Sequence, residues 1–373
     1  MKIKISLYII ILIVIGISIM AGCTRKEEFS DNNADIIENQ NIDKSTVTYN
    51  GWLKTEGANL KNENGEIVQL KGLSSHGIQW FPDLVNSDNL KQLKETWGMN
   101  VFRIAMYTDP NANGYVAQPE QLKEQVFSLV EAAKDLDMYV IVDWHILNDN
   151  NPQTYQSQSK EFFNELSSKY ANTPNVIYEI CNEPNGNDVK WNENVKPYAE
   201  DIIATIRNNN PKSLIIVGTP DWCKDLKNVA NNKLEFENVV YSCHFYAGSH
   251  GELLQEQIDY CIEKNVPVFV SECGITDASG SGEIYADKFE KWINFLSERN
   301  ISWLFWSFCN KQESSSILKP EYNTSSFNNS GSNEININEV ADSVEQNKEQ
   351  LDINDYLTET GSIVKRLLSK NNL

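Results

Sequence analysis

The chain has 373 residues, with 52 acidic and 32 basic side chains that give a formal net charge of −20. An acidic surface repels phosphate backbones, so this composition argues against a nucleic acid as a partner. The length allows one large barrel domain of roughly 250 residues together with tails. Nine tryptophans suit either a large core or a cleft that stacks against the apolar faces of sugars.

The N-terminal segment has the order of features found in bacterial signal peptides. Two lysines precede an apolar run at residues 5–20, and two small residues come directly before Cys23. Residues 20–23 also resemble a lipoprotein box, in which the cysteine is lipidated after cleavage. We therefore predict a lipoprotein-type signal peptide over residues 1–22 and an extracellular, cell-surface lipoprotein whose only membrane attachment is through Cys23. An ordinary signal peptide and an uncleaved membrane anchor are the alternatives.

The next segment, residues 23–50, is polar and acidic. Such a segment cannot bury much apolar area, and its composition predicts a disordered tether. The main folded domain is expected to begin near Gly51 and to run to residue 373. The turn signal NENG at residues 62–65 lies between two short extended runs, which predicts a hairpin in front of the main domain.

Beyond this hairpin, apolar patterns typical of strands alternate with patterns typical of helices. Apolar residues recur at helical spacing over residues 120–136 and 286–297, and a last helix is predicted at 362–368. Eight strands with intervening helices favour a closed, parallel (β/α)8 TIM barrel over an open sheet. The eight candidate strands are residues 68–73, 101–106, 139–143, 176–180, 214–217, 239–244, 268–271 and 303–307.

Residues 321–350 interrupt this pattern. They are rich in Asn, Ser and Glu and contain few large apolar residues. This composition predicts a disordered insertion after the eighth strand, on the active-site side of the barrel. An ordered lid is the alternative.

Six further cysteines follow Cys23 along the chain. They form no C-x-x-C pair and accompany no cluster of histidines, so the sequence gives little support to a zinc site. Buried free thiols behave as small hydrophobic side chains, and we expect this state. Oxidation to disulfides is the alternative for an exported protein.

Two strand-like runs that each lead to a glutamate are the most informative pattern. The run 176–185 contains Asn-Glu-Pro, and Pro184 cannot continue a strand ladder, which places Glu183 at a strand end. A similar run at 266–272 ends in Glu272. The carboxyl ends of barrel strands meet at one face, and two carboxylates on that face are what retaining hydrolysis of a glycoside requires.

Several short motifs occur in an order that is typical of one enzyme family. They are LSSHGIQW at 73–80, NVFRIAMY at 100–107, DWHIL at 143–147, YEICNEP at 178–184, HFY at 244–246, SE at 271–272 and WLFWS at 303–307. Apart from the insertion, the chain from Gly51 to the last helix resembles the family 5 glycoside hydrolases, in the bacterial endoglucanase (cellulase) branch. The resemblance implies a monomeric, retaining endo-β-1,4-glucanase that hydrolyses internal bonds of a β-1,4-glucan polysaccharide or oligosaccharide, with no cofactor and no metal.

The resemblance also assigns catalytic roles to individual residues. Glu183 matches the acid/base and Glu272 matches the nucleophile, and in a retaining enzyme the two carboxyl groups lie roughly 5–5.5 Å apart. Arg103 matches the arginine beside the nucleophile, and Tyr246 matches the tyrosine that hydrogen-bonds the nucleophile. Asn182 matches the amide that contacts the sugar 2-hydroxyl. Glu183 must be protonated near the working pH, which requires a raised pKa.

Three of the four histidines lie at predicted strand ends. His145 and His244 match active-site histidines of the family, which orient hydroxyls and carboxylates. A metal site formed by these two and His76 is the alternative, although no H-x-x-x-H spacing supports it. His250 lies in a loop and is expected to be solvated.

The substrate-binding residues implied by the resemblance are aromatic or charged side chains at loops and strand ends. Trp306 matches the aromatic floor beneath the cleaved sugar. Lys311 and Glu313 resemble a polar pair on the non-reducing side, and a solvated charge pair is the alternative. The full set is His76, Trp80, Tyr107, Trp222, Trp306, Lys311 and Glu313.

Two features depart from the family pattern. Position 273 is usually tryptophan in this branch, and the smaller Cys273 is expected to loosen the packing beside the nucleophile. The insertion at 321–350 is expected to change access to the cleft. No carbohydrate-binding module is visible in the sequence, which argues against crystalline cellulose as the substrate.

Two other functions stay open. The same mechanism can act on β-mannan, xyloglucan or mixed-linkage glucan, because members of the family differ in substrate. A non-catalytic, surface glycan-binding lipoprotein with the same barrel is the alternative from a different class. Its sequence sign would be the loss of a carboxylate, whereas Glu183 and Glu272 are both present.

Overall fold

The computed structural model of the chain describes residues 43–322 and 351–369. The predicted signal peptide, Cys23, most of the predicted tether and residues 323–350 of the predicted insertion lie outside the described residues. Within the two described ranges, none of the helices combines the length and the apolar character that crossing a membrane requires.

Eight parallel strands form a closed barrel, which confirms the predicted (β/α)8 fold. The order of the strands around the barrel follows their order along the chain, and the last of the eight closes the barrel by pairing with the first. The barrel strands are β3 (Lys71–Ser75), β4 (Val101–Tyr107), β5 (Tyr139–His145), β6 (Val176–Glu179), β7 (Ile215–Val217), β8 (Val239–Tyr246), β9 (Val268–Gly274) and β10 (Trp303–Phe308).

Helices pack around the barrel, and their apolar faces form the main core with the outward-facing strand residues. Helix α3, for example, buries Leu122, Val126 and Val130, the spacing that predicted it. The helices are α1 (Val47–Asn50), α2 (Ser87–Trp97), α3 (Pro119–Asp135), α4 (Gln156–Lys169), α5 (Lys196–Asn209), α6 (Pro220–Cys223), α7 (Leu226–Asn231), α8 (Glu252–Glu263), α9 (Ala286–Glu298) and α10 (Glu359–Ser369).

The base of the barrel is covered by the residues before β3, and this changes the predicted start of the domain. Helix α1 lies in the predicted tether, yet Val47 belongs to the apolar cluster that fills the lower barrel. The Asn50 side chain donates hydrogen bonds to the backbone carbonyls of Lys44 and Thr46. Residues 43–50 therefore belong to the folded domain rather than to a disordered tether, because this short segment carries a buried apolar residue and its own hydrogen bonds.

The predicted hairpin is present, although its turn lies earlier in the chain. Strands β1 (Lys54–Glu56) and β2 (Asn59–Lys61) pair antiparallel. The predicted turn at residues 62–65 follows this hairpin and leads to a single antiparallel bridge between Lys61 and Ile67. Two turns therefore occur where the sequence indicated one.

An irregularity in β9 decides which of its side chains face the barrel interior. Between the pairs Ser242–Phe269 and His244–Glu272, strand β8 advances two residues while β9 advances three. The pairing of β9 with β10 shows the same extra residue. This β-bulge breaks the alternation of side chains, so that the consecutive residues Ser271 and Glu272 both contact groups inside the barrel.

Candidate active site

A cleft of about 620 Å³ lies at the C-terminal face of the barrel. It is lined by twelve of the residues to which the sequence analysis gave a catalytic or substrate-binding role, namely His76, Trp80, Tyr107, His145, Glu183, Trp222, His244, Tyr246, Glu272, Trp306, Lys311 and Glu313. Arg103 and Asn182 are not among its lining residues; both are buried and contact the site from within the barrel. The structure therefore brings the predicted catalytic and binding residues to one place.

Glu183 lies in the segment after β6, four residues beyond the end of that strand. The amide of Asn182 donates to the Trp144 carbonyl, and the Asn185 side chain donates to the carbonyls of Leu147 and Glu183. These bonds tie the segment to the end of β5. Burial raises the pKa of Glu183 to about 7, although Arg103 and Lys224 act in the opposite direction.

Glu272 lies within β9 and accepts a hydrogen bond at each carboxylate oxygen. The Tyr246 hydroxyl donates to Oε1 at 2.6 Å, and Arg103 Nη1 donates to Oε2 at 3.2 Å. Gly274 allows the tyrosine to lie here, because a Cβ at that position would come within 2.3 Å of a ring carbon of Tyr246. Two hydrogen-bond donors therefore face the carboxylate that the sequence analysis matched to the nucleophile.

The two glutamates are close enough for retaining chemistry. One carboxylate oxygen of Glu183 and one of Glu272 lie within 4.8 Å of each other. Inverting enzymes need carboxyl groups about 6.5–9.5 Å apart to admit a water molecule, whereas retaining enzymes use about 5–5.5 Å. The spacing therefore agrees with the retaining geometry that the sequence predicted.

Arg103 holds the buried part of the site together. It is fully buried, and its Nε donates to Glu179 at 2.6 Å while Nη2 lies 2.9 Å from Asp143 and donates to Asn182. Burial alone would lower the pKa of Arg103, but Asp143, Glu179 and Glu272 raise it above its ordinary value. One guanidinium therefore fixes Glu272 and three neighbouring polar groups at once.

The position of His145 is set by donors and acceptors on both sides of its ring. Its Nδ1 lies 2.6 Å from Asp143, and its Nε2 lies 3.3 Å from the Asn182 amide nitrogen. The Asn182 oxygen accepts from Arg103, so its nitrogen is the donor to His145 Nε2. His145 therefore carries its proton on Nδ1 and donates it to Asp143. Burial raises the pKa of Asp143 to about 7.

The Asn182 side chain forms hydrogen bonds to other groups of the protein. Its oxygen accepts from Arg103, and its nitrogen contacts His145 and the Ile146 carbonyl. The side chain is buried, and it orients Arg103 and His145. The contact with a sugar 2-hydroxyl stays a prediction.

Aromatic side chains form the walls and floor of the cleft. Trp306 is nearly buried and stacks on His145 with ring centres 5.3 Å apart. Trp80 and Trp222 are 41% and 43% exposed, so their faces are accessible from solvent. Tyr107 lies between Trp80 and His145, at 4.6 and 4.1 Å. Such exposed rings beside a buried ring suit the apolar faces of successive sugar units.

Polar groups complete the rim. Lys311 and Glu313 form an ion pair with a 2.5 Å separation, and Glu313 is nearly buried while Lys311 is half exposed. His76 accepts the Gly77 amide at Nδ1, and burial lowers its pKa to about 3, assisted by the Lys311 charge. Nε2 is therefore a hydrogen-bond donor at neutral pH.

The sequence analysis did not assign roles to four residues of the site. Asp143, Glu179 and Ser271 are fully buried beneath the two glutamates. His250 was expected to be solvated, but it is partly buried, lines the cleft and accepts the Tyr246 amide at Nδ1. The signal for Asp143 and Glu179 was their position inside the motifs DWHIL and YEICNEP, near the carboxyl ends of two strands.

Cys273 does not lie beside the cleft. The bulge in β9 turns its side chain towards the helices, where the thiol is buried in the main core and donates to the Leu304 carbonyl. The expected loosening next to the nucleophile therefore has no counterpart among the cleft-lining residues. The six cysteines of the described residues are all buried and unpaired.

A metal ion finds little support in the site. Glu183, His244 and Glu272 form the one group of three such side chains, among the residues described, whose potential ligand atoms converge. Protein groups contact each of them: His244 contacts Glu183, and Tyr246 and Arg103 contact Glu272. His76 and His145 are not part of this group, so the structure does not assemble the three-histidine alternative.

Comparison with known proteins identifies similar chains. The family model described as cellulase (glycosyl hydrolase family 5) matches residues 61–312. An endoglucanase of Clostridium saccharobutylicum is 48% identical over 275 residues, which are 74% of this chain and 61% of the relative. Endoglucanase A of Evansella cellulosilytica is 50% identical over 259 residues, 69% of this chain and 52% of the relative. The chain thus spans less than two thirds of the length of these relatives.

Solved structures of similar chains agree. The cellulase Cel5C_n superposes with a TM-score of 0.77 at 36% identity, covering 87% of this chain and 93% of that chain. The catalytic domain of the Thermobifida fusca endoglucanase Cel5A superposes with a TM-score of 0.75 at 32% identity, covering 86% of this chain and 98% of that chain.

Replacing Arg103 by lysine tests its central position. A lysine cannot supply the forked donors, so Glu179 and Glu272 would lose fixed partners in a buried site. We expect the free energy of unfolding to fall by about 3–5 kcal/mol and catalytic efficiency on a glucan to fall by roughly 100-fold or more. Denaturant titration and initial rates measure the two effects.

Arg299→Lys is the matched control, because Arg299 pairs with Asp259 at the surface. This variant should lose less than about 1 kcal/mol of stability and keep its activity. Wild-type stability and activity in Arg103→Lys would contradict the central position.

Proposed function

The chain belongs to glycosyl hydrolase family 5, and we propose that it is an endo-β-1,4-glucanase that hydrolyses β-1,4-glucan with retention. The observation that carries the proposal is the pair Glu183 and Glu272, with carboxylate oxygens within 4.8 Å and with different surroundings. Glu183 is buried and has a raised pKa, whereas Glu272 accepts hydrogen bonds from Arg103 and Tyr246. This asymmetry is what separates an acid from a nucleophile.

In the first step, a Glu272 oxygen attacks the anomeric carbon and forms an ester bond with it. The glycosidic bond breaks, and Glu183 gives its proton to the leaving oxygen. In the second step, Glu183 takes a proton from water as the water oxygen attacks the anomeric carbon and displaces Glu272. Two inversions give net retention, and both carboxyl groups return to their first state.

The choice of a glucan rests on the relatives and on the cleft. The similar proteins carry the names endoglucanase and cellulase, and the exposed rings of Trp80 and Trp222 suit sugars bound beyond the cleaved bond. β-Mannan, xyloglucan and mixed-linkage glucan are alternative substrates for the same mechanism. A non-catalytic glycan-binding role is disfavoured, because both carboxylates are in place.

The first prediction concerns the nucleophile and the substrate. Wild-type protein should release reducing sugar from carboxymethylcellulose, and Glu272→Gln should lose at least about 10³-fold of that rate because the amide cannot form the ester. Mannan, xyloglucan, xylan and mixed-linkage glucan are assayed in parallel. Cleavage of only one of these others would change the substrate, and a fully active Glu272→Gln would contradict the assignment of the nucleophile.

The second prediction concerns pH. Glu183 must be protonated for the first step, so kcat/KM should fall as the pH rises through its pKa of about 7. A pH series of kcat/KM on a soluble glucan oligosaccharide measures this alkaline limb. The limb should disappear in Glu183→Gln for a substrate with a good leaving group that needs no protonation. A limb that persists there would assign it to another group.

We also propose that the protein is a cell-surface lipoprotein that acts on polysaccharide outside the cell. The basis is the signal-like segment before Cys23, which lies outside the described residues. Expression in a bacterial host should give a membrane-bound form with a diacylglycerol-modified Cys23, detected by mass spectrometry of the N-terminal peptide. Cys23→Ala should move the protein to the soluble fraction, and an unmodified Cys23 in the membrane form would contradict the anchor.

A further inference from the structure

A chain of hydrogen bonds runs beneath the acid/base glutamate. It passes from Glu183 through His244 and Ser271 to Glu179 and ends at Arg103. We propose that Glu179 and Ser271 are positioning residues that hold the proton of His244 on Nε2, so that Nδ1 faces Glu183 as an acceptor and stabilises its protonated form. This inference rests on the proposed role of Glu183 as general acid.

Arg103, which carries a permanent positive charge, sets which groups donate and which accept along this chain of hydrogen bonds. Its Nε donates to Glu179 Oε2 at 2.6 Å, a separation typical of a charge-assisted hydrogen bond. Burial and the nearby Asp143 raise the pKa of Glu179, and the contact with Arg103 acts against that rise by favouring the carboxylate form. An ionised carboxylate can only accept hydrogen bonds.

Ser271 has a single hydroxyl hydrogen and can therefore donate only one hydrogen bond, which decides its role towards His244. Its Oγ lies 2.6 Å from Glu179 Oε1, so the hydrogen is donated there. The two other neighbours of the oxygen are Ser242 Oγ at 2.7 Å and His244 Nε2 at 3.0 Å. With its only hydrogen used, Ser271 accepts from both. His244 must then carry a proton on Nε2.

The last step concerns the two forms of Glu183. Burial lowers the pKa of His244 to about 4, so the ring is neutral near neutral pH and its Nδ1 has no hydrogen. Glu183 Oε1 lies 2.8 Å from that nitrogen. Only a protonated Glu183 can form this hydrogen bond, whereas an ionised Glu183 would place its charge against the Nδ1 lone pair. The chain of hydrogen bonds thus favours the protonated form of Glu183, which gives up its proton in the first chemical step.

Other charged groups face the same two side chains and must be separated from this effect. Arg103 and Lys224 lower the pKa of Glu183, and Glu272 has an oxygen within 4.8 Å of it. The titratable groups that act electrostatically on Glu183 or on His244 are Arg103, Tyr107, Asp143, His145, Glu179, Cys223, Lys224, Tyr246, His250 and Glu272. A test that leaves all of these charges unchanged is therefore needed, and Ser271 offers one.

The contrast with His145 shows that the tautomer is imposed locally. His145 receives a hydrogen bond from Asn182 at Nε2 and donates from Nδ1 to Asp143. His244 has the opposite arrangement, with an acceptor at Nε2. Two neutral histidines in one cleft thus carry their protons on different nitrogens, and each follows from its own partners.

The experiment compares Ser271→Ala with Ser242→Ala. Without the Ser271 hydroxyl, His244 Nε2 loses its acceptor, and the tautomer that donates from Nδ1 to ionised Glu183 becomes favoured. The alkaline limb of kcat/KM should then move to lower pH by about one unit, because the hydrogen bond from His244 would stabilise the ionised form of Glu183 instead of the protonated form. Ser242→Ala removes the hydroxyl that donates to Ser271 but leaves the Ser271 hydrogen on Glu179, so it should leave the limb in place. Ser271→Thr should restore the limb.

Glu179→Gln is the second variant, and it acts by reversing the donor and acceptor roles along the chain of hydrogen bonds. The amide nitrogen of an isosteric glutamine would donate to Ser271, which would turn the Ser271 hydrogen towards His244 Nε2. The limb should again move to lower pH. Removal of a negative charge contributes to the same shift, so Ser271→Ala remains the decisive variant.

Imidazole ¹⁵N spectra of the whole protein give a readout that does not depend on activity. The chain has four histidines, and the His244 signals are identified by their loss in His244→Asn. We expect a protonated Nε2 in wild type and in Ser242→Ala, and a protonated Nδ1 in Ser271→Ala. A wild-type proton on Nδ1, or an unshifted limb in folded Ser271→Ala, would overturn the inference. Absence of glucan hydrolysis in wild type would instead contradict the proposed function, and the spectra would still test the tautomer.

Discussion

The buried positive charge of Arg103 is the constraint on which the rest of the site depends. An isolated guanidinium inside a barrel would be very unfavourable, and this one is stabilised because Asp143, Glu179 and Glu272 surround it. One cation cannot neutralise three carboxylates and the nearby Glu183 together. The excess negative charge and the burial keep a proton on part of the cluster, as the raised pKa values of Asp143 and Glu183 indicate. Glu272 instead accepts hydrogen bonds from Arg103 and Tyr246, so the proposed acid and the proposed nucleophile lie in different surroundings.

Sequence patterns were sufficient for the barrel, because each strand and helix carries its own local signal. The runs around Val101 and Tyr139 read as strands, and both are strands in the structure. The proposed catalytic pair could also be predicted, because Glu183 and Glu272 each follow an apolar run and the carboxyl ends of the barrel strands meet at one face. The predicted strand ends fell short for β5, β8 and β9, because polar residues such as His145 and Tyr246 look like loop residues but lie inside strands.

The contacts that set the protonation and orientation of the site residues could not be predicted from the sequence, because they join distant parts of the chain. Arg103 and Glu179 are 76 residues apart, and Ser271 and Glu179 are 92 apart. A buried glutamate or serine on a strand has no periodic pattern that separates a tuning role from a packing role. The start of the domain was misplaced for a similar reason. Residues 43–50 are polar in composition, and the burial of Val47 depends on the barrel base that it covers.

The bulge in β9 explains how two adjacent residues serve the same site. In a regular strand Ser271 and Glu272 would point to opposite sides, so one of them would face the helices. Phe269 lies in the cluster inside the barrel, while Val270 and Cys273 lie in the core outside it. The extra residue between them directs Ser271 towards His244 and Glu272 towards the cleft. Without it, either Glu272 or the Ser271 hydroxyl would be lost from the interior, so both proposed functions depend on one local distortion of the strand.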